Sequence, residues 1–448
     1  MAIINIEKHH HHRPLGQWPP GQRQGIARWV ACKAQEARNC KEVPVDPSLL
    51  AFQQLVNGSP DLKKLANMMF YESSKKYQYD PNGRSAIKDF NEFIAVVNLI
   101  IKQGPPFCNT GKPSTAMGLL GFPINAVLDW PMGTVSGYEF WLHPDVNASF
   151  KDVLNTWACL LGSPDSRGCL RDWLSPLARD LLATAANHRQ TSYTFEQIFK
   201  CDPTDTFYGF DSWDAFFTRE FREGIRPVEA PESAPFDPNY PDPTRVIVNA
   251  CESAPLQVDS DVKMREMFWL KGQPYSLDRM LNGHALTPQF VGGTVYQAFL
   301  SAKSYHRWHA PVSGRVVGIE HVPGTYYSEN CFEGLSGDPD PAAPNYSQPY
   351  ISAVATRGII YIQARDPRIG LMAIVFIGMA EISSCHFIVG VNDVIEKGQQ
   401  IGMFHFGGSS HCMLFRPGVN LRFLGKQPPW DMDHEENNQV NSALAVVE

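Results

Sequence analysis

Seven residues near the C-terminal end, HFGGSSH at 405 to 411, set two glycines against two serines with a histidine on either side. Glycines leave a carbonyl bare of neighbouring side chains. A hydroxyl directly after such a carbonyl folds back on it when a base takes its proton and donors receive the oxyanion. Gly408 and Ser409 are therefore candidates for attack of the chain on its own backbone, a reaction that needs no substrate. Gly-Gly-Ser-Ser also suits an ordinary loop, so the pattern alone leaves both readings open. A second set lies in SYHRWHAPVSG, 304 to 314, where His306 and His309 stand three apart and Pro311 and Gly314 close the segment. Two imidazoles on a rigid turn or extended piece bind metal or transfer protons. A third ligand at metal spacing is missing nearby and HExxH is absent, so no metal is expected; a pair of structural histidines is the alternative.

Other chemistries are disfavoured. The ten cysteines are widely spaced with no C-x-x-C, which argues for reduced thiols in a cytosolic protein. The lone Gly111-Lys112 is wrongly spaced from Gly104 for a phosphate loop and is followed by Pro113; no G-x-S-x-G elbow of a serine hydrolase occurs. Net charge is −7 with Lys and Arg scattered, so nucleic acid is not an expected partner. The stretch GLMAIVFIGMA, 370 to 380, is half the length of a membrane helix and its β-branched content suits a buried strand. With no secretory signal at the N-terminus, the expectation is a soluble, cytoplasmic protein without a stable membrane anchor. His9 to His12, beside Pro14, Pro19 and Pro20, read as part of a disordered leader rather than a metal site.

These residues need a scaffold, and 448 residues allow two or three domains. With 43% hydrophobic and 19% charged residues the composition is that of a globular protein. Ile87, Phe90, Ile94, Val97 and Ile101 recur three and four apart, predicting a helix with Ser85 as N-cap. SPLARDLLATAANH predicts another, capped by Ser175 with Pro176 at its first position. Beyond about residue 240 the texture changes to short apolar runs between turns: TVYQAFL, RVVGIEHV, GIIYIQA, LMAIVFIG, ISSCHFIV, QQIGMFHF, CMLF and VNLRFL. A polar, proline-rich insertion at 328 to 349 is expected on the surface, as a flap. The expectation is an α+β protein: a leader at 1 to 45, a helical N-terminal domain at 46 to 205 and a β-rich domain at 206 to 448.

Four stretches in order, SWDAFFTREFREGIRP (212 to 227), LKGQPYSLDRML (270 to 281), YHRWHAPVSGRV with PGTYYS (305 to 328) and GMFHFGGSS (402 to 410), carry a resemblance to the pyruvoyl-dependent phosphatidylserine decarboxylases. FYGFDSWDAFF, NACES and VFIGMAEIS are similar to the soluble fungal branch of that family. The resemblance implies a decarboxylase that cuts itself between Gly408 and Ser409, with His309 as base for the cut. Ser409 becomes a pyruvoyl group, so no PLP is required, and a substrate amine joins it as an imine. His306 resembles the family histidine for substrate handling and protonation. Where these enzymes have aspartate in Pro-Ala-Asp-Gly, this chain has NACESAP, so Glu252 is the expected residue to orient His309, with Asp259 or Asp261 as substitutes. Glu381 is expected to shape the substrate pocket. The implied substrate is a small aromatic L-amino acid, tryptophan first, with phosphatidylserine as the alternative. The implied partners are the large and small chains of one precursor, in a homodimer.

Overall fold

The computed structural model describes residues 20–40, 43–76, 86–107, 122–188, 190–233, 235–266, 275–330, 347–426 and 437–448. The histidine run, Ser85 and positions 331 to 346 of the insertion lie outside them. The first half is helical, with helices at Pro20–Asn39, Pro47–Gly58, Pro60–Lys76, Phe90–Ile100, Pro123–Met132, Val135–Leu142, Pro144–Leu161 and Pro176–Asn187; the first lies in the stretch expected as a disordered leader, where Val30, Ala34 and Ala37 are instead buried in the helical core. The helix expected from Ser85 begins at Phe90, because Asp89 takes the cap: its carboxylate accepts from the Glu92 amide at 2.9 Å. Ser175 and Pro176 start the later helix as expected, with the Ser175 hydroxyl accepting from the Ala178 amide.

The second half is built from strands β1 (Val246–Val248), β2 (Ala254–Ser260), β3 (Thr294–Leu300), β4 (Arg307–His309), β5 (Gly314–Val322), β6 (Arg357–Ala364), β7 (Leu371–Met379), β8 (Cys385–Phe387), β9 (Val394–Ile395), β10 (Gln400–Phe404), β11 (Gly408–Phe415), β12 (Leu421–Phe423) and β13 (Ala443–Val447). Seven form an antiparallel sheet in the order β2-β3-β11-β7-β6-β5-β9; β4-β10-β8 and β1-β13-β12 form two smaller ones. The fold is thus α+β.

Strand β11 is buried along its whole length and paired on both sides, with β3 and with β7. It begins at Gly408, four residues before the apolar run CMLF that predicts it. Side chains alternate across a strand. Ser409, His411, Met413 and Phe415 therefore share the face that packs with Tyr296, Trp308 and Phe376, while Ser410, Cys412 and Leu414 face Tyr275, Val375 and Ile377. The core of the helical half does not stop at the sheet: Tyr326, Tyr327, Ala380, Ile382 and Phe406 are buried in it.

Candidate active site

The Gly408–Ser409 peptide bond opens β11, and Ser409 is 1% exposed. Its Oγ donates to the Gly407 carbonyl at 3.4 Å, a long bond that leaves the hydroxyl weakly held. Close approach, not left-handed backbone, is what demands the two glycines. A Cβ on Gly407 would stand 2.6 Å from the Ser383 Oγ and 2.8 Å from the Ala380 carbonyl, and one on Gly408 would stand 2.8 Å from the Met379 carbonyl. The turn pressing on Gly407 is itself strained, since Ala380, Glu381 and Ser383 all have φ between 46° and 57°. Surrounding bonds hold it: the Ser383 amide donates to the Phe406 carbonyl at 3.0 Å, and the Glu381 amide to the Tyr327 hydroxyl at 2.8 Å. On the helical side Phe406 is stacked on Phe122 at 5.8 Å and met edge-on by Trp157, Trp213 and Phe217.

His309 is held at both nitrogens. Nδ1 lies 2.7 Å from the Gly398 carbonyl, which can only accept, so Nδ1 carries the proton. Nε2 then holds the lone pair and accepts from the Tyr305 hydroxyl at 3.0 Å. Burial lowers the pKa of His309, with the Gly398 bond opposing and Arg307 assisting, so the ring is a neutral base whose lone pair is occupied by Tyr305 rather than Ser409. His306 is fully buried and stacked on Phe217 at 4.0 Å, with neither ring nitrogen in a well-formed hydrogen bond among the described residues. Burial, then the nearby Arg219 guanidinium, push its pKa well below the usual value, with the Ser304 backbone opposing them. His306 is therefore neutral.

Glu252 does not orient His309 directly. Its Oε1 accepts from His188 Nε2 at 2.5 Å and from Arg226 Nη2 at 2.5 Å, while Oε2 accepts from Arg226 Nε at 3.0 Å and from the Val440 amide at 2.9 Å. Burial alone would raise its pKa, but Arg226 and His188 outweigh that and bring it to about 2. A buried carboxylate goes to the nearest buried cation, and here that cation is Arg226. Between Glu252 and His309 runs a series of contacts: Arg226 lies 4.5 Å over Phe221, Phe221 stacks on Tyr305 at 4.2 Å, and Tyr305 binds His309. Asp259 and Asp261 are no substitutes. Asp259 pairs with Val295 on the opposite face of the sheet from Ser409, and Asp261 is exposed beyond the far end of β2.

Glu381 is fully buried and joins the two halves. Its Oε1 accepts from the Asn125 amide at 2.9 Å in the first turn of Pro123–Met132, whose N-cap Phe122 has no side-chain acceptor to offer. Desolvation raises its pKa to about 8 despite these donors. Beside the junction, His405 Nδ1 donates to Asp214 at 2.9 Å and its Nε2 lies 3.3 Å from His386 Nδ1. No group of three or more His, Cys, Asp or Glu side chains suited to a metal ion occurs among the described residues. Sequence reasoning missed Tyr305, Arg226 and His188. Tyr305, inside the YHRWH motif, and Arg226, inside SWDAFFTREFREGIRP, each carried a local signal; His188 and the Gly398 carbonyl carried none.

A family model described as phosphatidylserine decarboxylase matches residues 213–436, and a second decarboxylase model of the same description matches residues 46–182. The chain is 38% identical to decarboxylase iboD of Amanita muscaria, over 73% of the chain and 91% of that protein. It is 35% identical to an L-tryptophan decarboxylase of Psilocybe cubensis, over 76% of the chain and 75% of that protein. A phosphatidylserine decarboxylase proenzyme of Stutzerimonas stutzeri is 26% identical over 56% of the chain and 80% of its own length.

Proposed function

Because the chain belongs to the phosphatidylserine decarboxylase family of pyruvoyl-dependent carboxy-lyases, we propose that it matures by cutting itself at Gly408–Ser409 and then decarboxylates an aromatic L-amino acid, tryptophan first. The observation that carries this reading is the buried Gly408–Ser409 bond at the head of β11; the neutral histidine base His309, in the YHRWH family motif, supports it. Once Tyr305 yields the Nε2 lone pair, His309 takes the Ser409 proton. Oγ adds to the Gly408 carbonyl, and the peptide bond becomes an ester. Loss of the Ser409 α-proton expels the Gly408 carboxylate and leaves a dehydroalanine, which takes up water and releases ammonia to give the pyruvoyl terminus. The residues present fit that group: Ser409, its source, is buried at the head of β11, and the buried, neutral His306 belongs to the same family pattern. The group supplies an electron sink for the pair released when CO2 leaves. His306, neutral and fixed by Phe217, handles the substrate and passes the proton that replaces CO2. Glu252 acts as a positioning residue through Arg226, and Glu381 shapes the pocket wall by tying the 380–383 turn to the helical half.

The likeness to an L-tryptophan decarboxylase at 35% identity supports the substrate; that to the phosphatidylserine enzyme is weaker, at 26%. No described helix is long and apolar enough to cross a membrane. The test is to purify the protein and its Ser409→Ala variant. The first is expected to give residues 1–408 and a 40-residue fragment with a pyruvoyl terminus, and the variant one intact, inactive chain. CO2 release from tryptophan, phenylalanine, tyrosine and dispersed phosphatidylserine then identifies the substrate. An active protein in one piece would overturn the proposal.

A further inference from the structure

On the face of β11 that carries Ser409, the next side chain along the strand is His411. It lies between Ala298 of β3 and Phe376 of β7, with the Tyr296 ring centre 6.1 Å away. The side chain is fully buried, and neither ring nitrogen has a hydrogen-bond partner among the described residues. Burial brings its pKa down to about 3, so the ring is neutral, with one N–H to give and one lone pair to fill. Sheet cores take valine at such positions without cost, whereas a buried donor and acceptor left unmet destabilise the fold. Among the described residues nothing fills them, so a ligand reaching this face of the strand can supply the missing partner. Residues 409 and 411 are two strand steps apart, about 6.6 Å. That separation suits a substrate anchored by its amine at 409 with its side chain laid along the strand.

We propose that His411 determines specificity: its lone pair accepts the ring N–H of the bound amino acid's side chain, an indole being the fitting donor. This rests on the aromatic amino-acid reading above. Carbon walls from Ala298, Phe376 and Tyr296 suit the rest of such a ring. The test uses the mature enzyme and its His411→Val and His411→Gln variants, each first checked for release of the 40-residue fragment. Rates with tryptophan and 1-methyltryptophan are compared. Calorimetry with indole-3-propionate and its N-methyl counterpart, which have no amine to react, gives a readout independent of turnover. The parent enzyme is expected to favour the unmethylated partner of each pair by about tenfold or more. His411→Val should bring both ratios to within about threefold of one, and His411→Gln, which keeps an acceptor, should restore part of the preference. A His411→Val enzyme that keeps the full preference overturns the proposal, as does a parent enzyme that binds the two propionates alike. A parent enzyme inert to every aromatic amino acid overturns the substrate reading instead, and the propionate pair still decides the role of His411.

Discussion

Tyr305 occupies the lone pair of His309, and a donor at that nitrogen favours the unprotonated ring. Tyr305→Phe is therefore expected to raise the His309 pKa and move the acid limb of the self-cleavage rate to higher pH. Gel-based cleavage rates between about pH 5 and 8 check this, and an unmoved limb would deny Tyr305 the role. Glu381 gives the opposite kind of pH dependence. Its folded pKa, about 8, stands above the ordinary 4.5, so its contribution to stability is fully present below 4.5 and is lost as pH rises through 8. Glu381→Gln keeps an acceptor for the Asn125 amide and has no proton to lose. In an uncleaved Ser409→Ala background, urea titrations at about pH 4 and about pH 9 should show stability falling with pH for the parent and staying nearly level for the variant. His306, His309 and Ser409 were singled out by the motifs that carry the family resemblance, since their spacing alone fits an ordinary loop and structural histidines equally well. Glu252 was legible as an acid but not in its partners, since Arg226 and His188 stand 26 and 64 positions away and only folding brings them together.

At the level of elements, short apolar runs between turns announced most strands, and TVYQAFL is β3 residue for residue. Strand β11 was announced only from its apolar half, because glycine and serine have poor strand propensity and it is pairing with β3 and β7 that draws Gly408 to Ser410 into the sheet. The contact between the halves was not legible at all: it runs through Phe406, which meets Phe122, Trp157, Trp213 and Phe217. Phe406→Ala is expected to cost about 3–5 kcal/mol, measured by urea unfolding of the Ser409→Ala protein. The same change in the competent chain should slow self-cleavage, because the ring anchors the backbone at 406, whose carbonyl accepts from Ser383 in the turn that presses on Gly407. Normal cleavage in a destabilised Phe406→Ala chain would separate the packing from the chemistry.

For the molecule as a whole, the cut proposed at 408–409 assigns β11, β12 and β13 to the smaller product. These strands are paired with β3, β7 and β1 of the larger one, so the 40-residue fragment is expected to co-elute with it in native buffer and to part from it only in denaturant, as size-exclusion chromatography would record. Since β11 lies third of seven in the sheet, the remaining 408 residues alone would present two raw edges, β3 and β7, where the middle of the sheet belongs. Folding must precede scission, and the route runs one way. Once heat separates the pieces they meet again only by dilute encounter, with the exposed edges competing to aggregate. The working life of the mature enzyme is then set by how fast it opens, not by how much stability it holds at equilibrium.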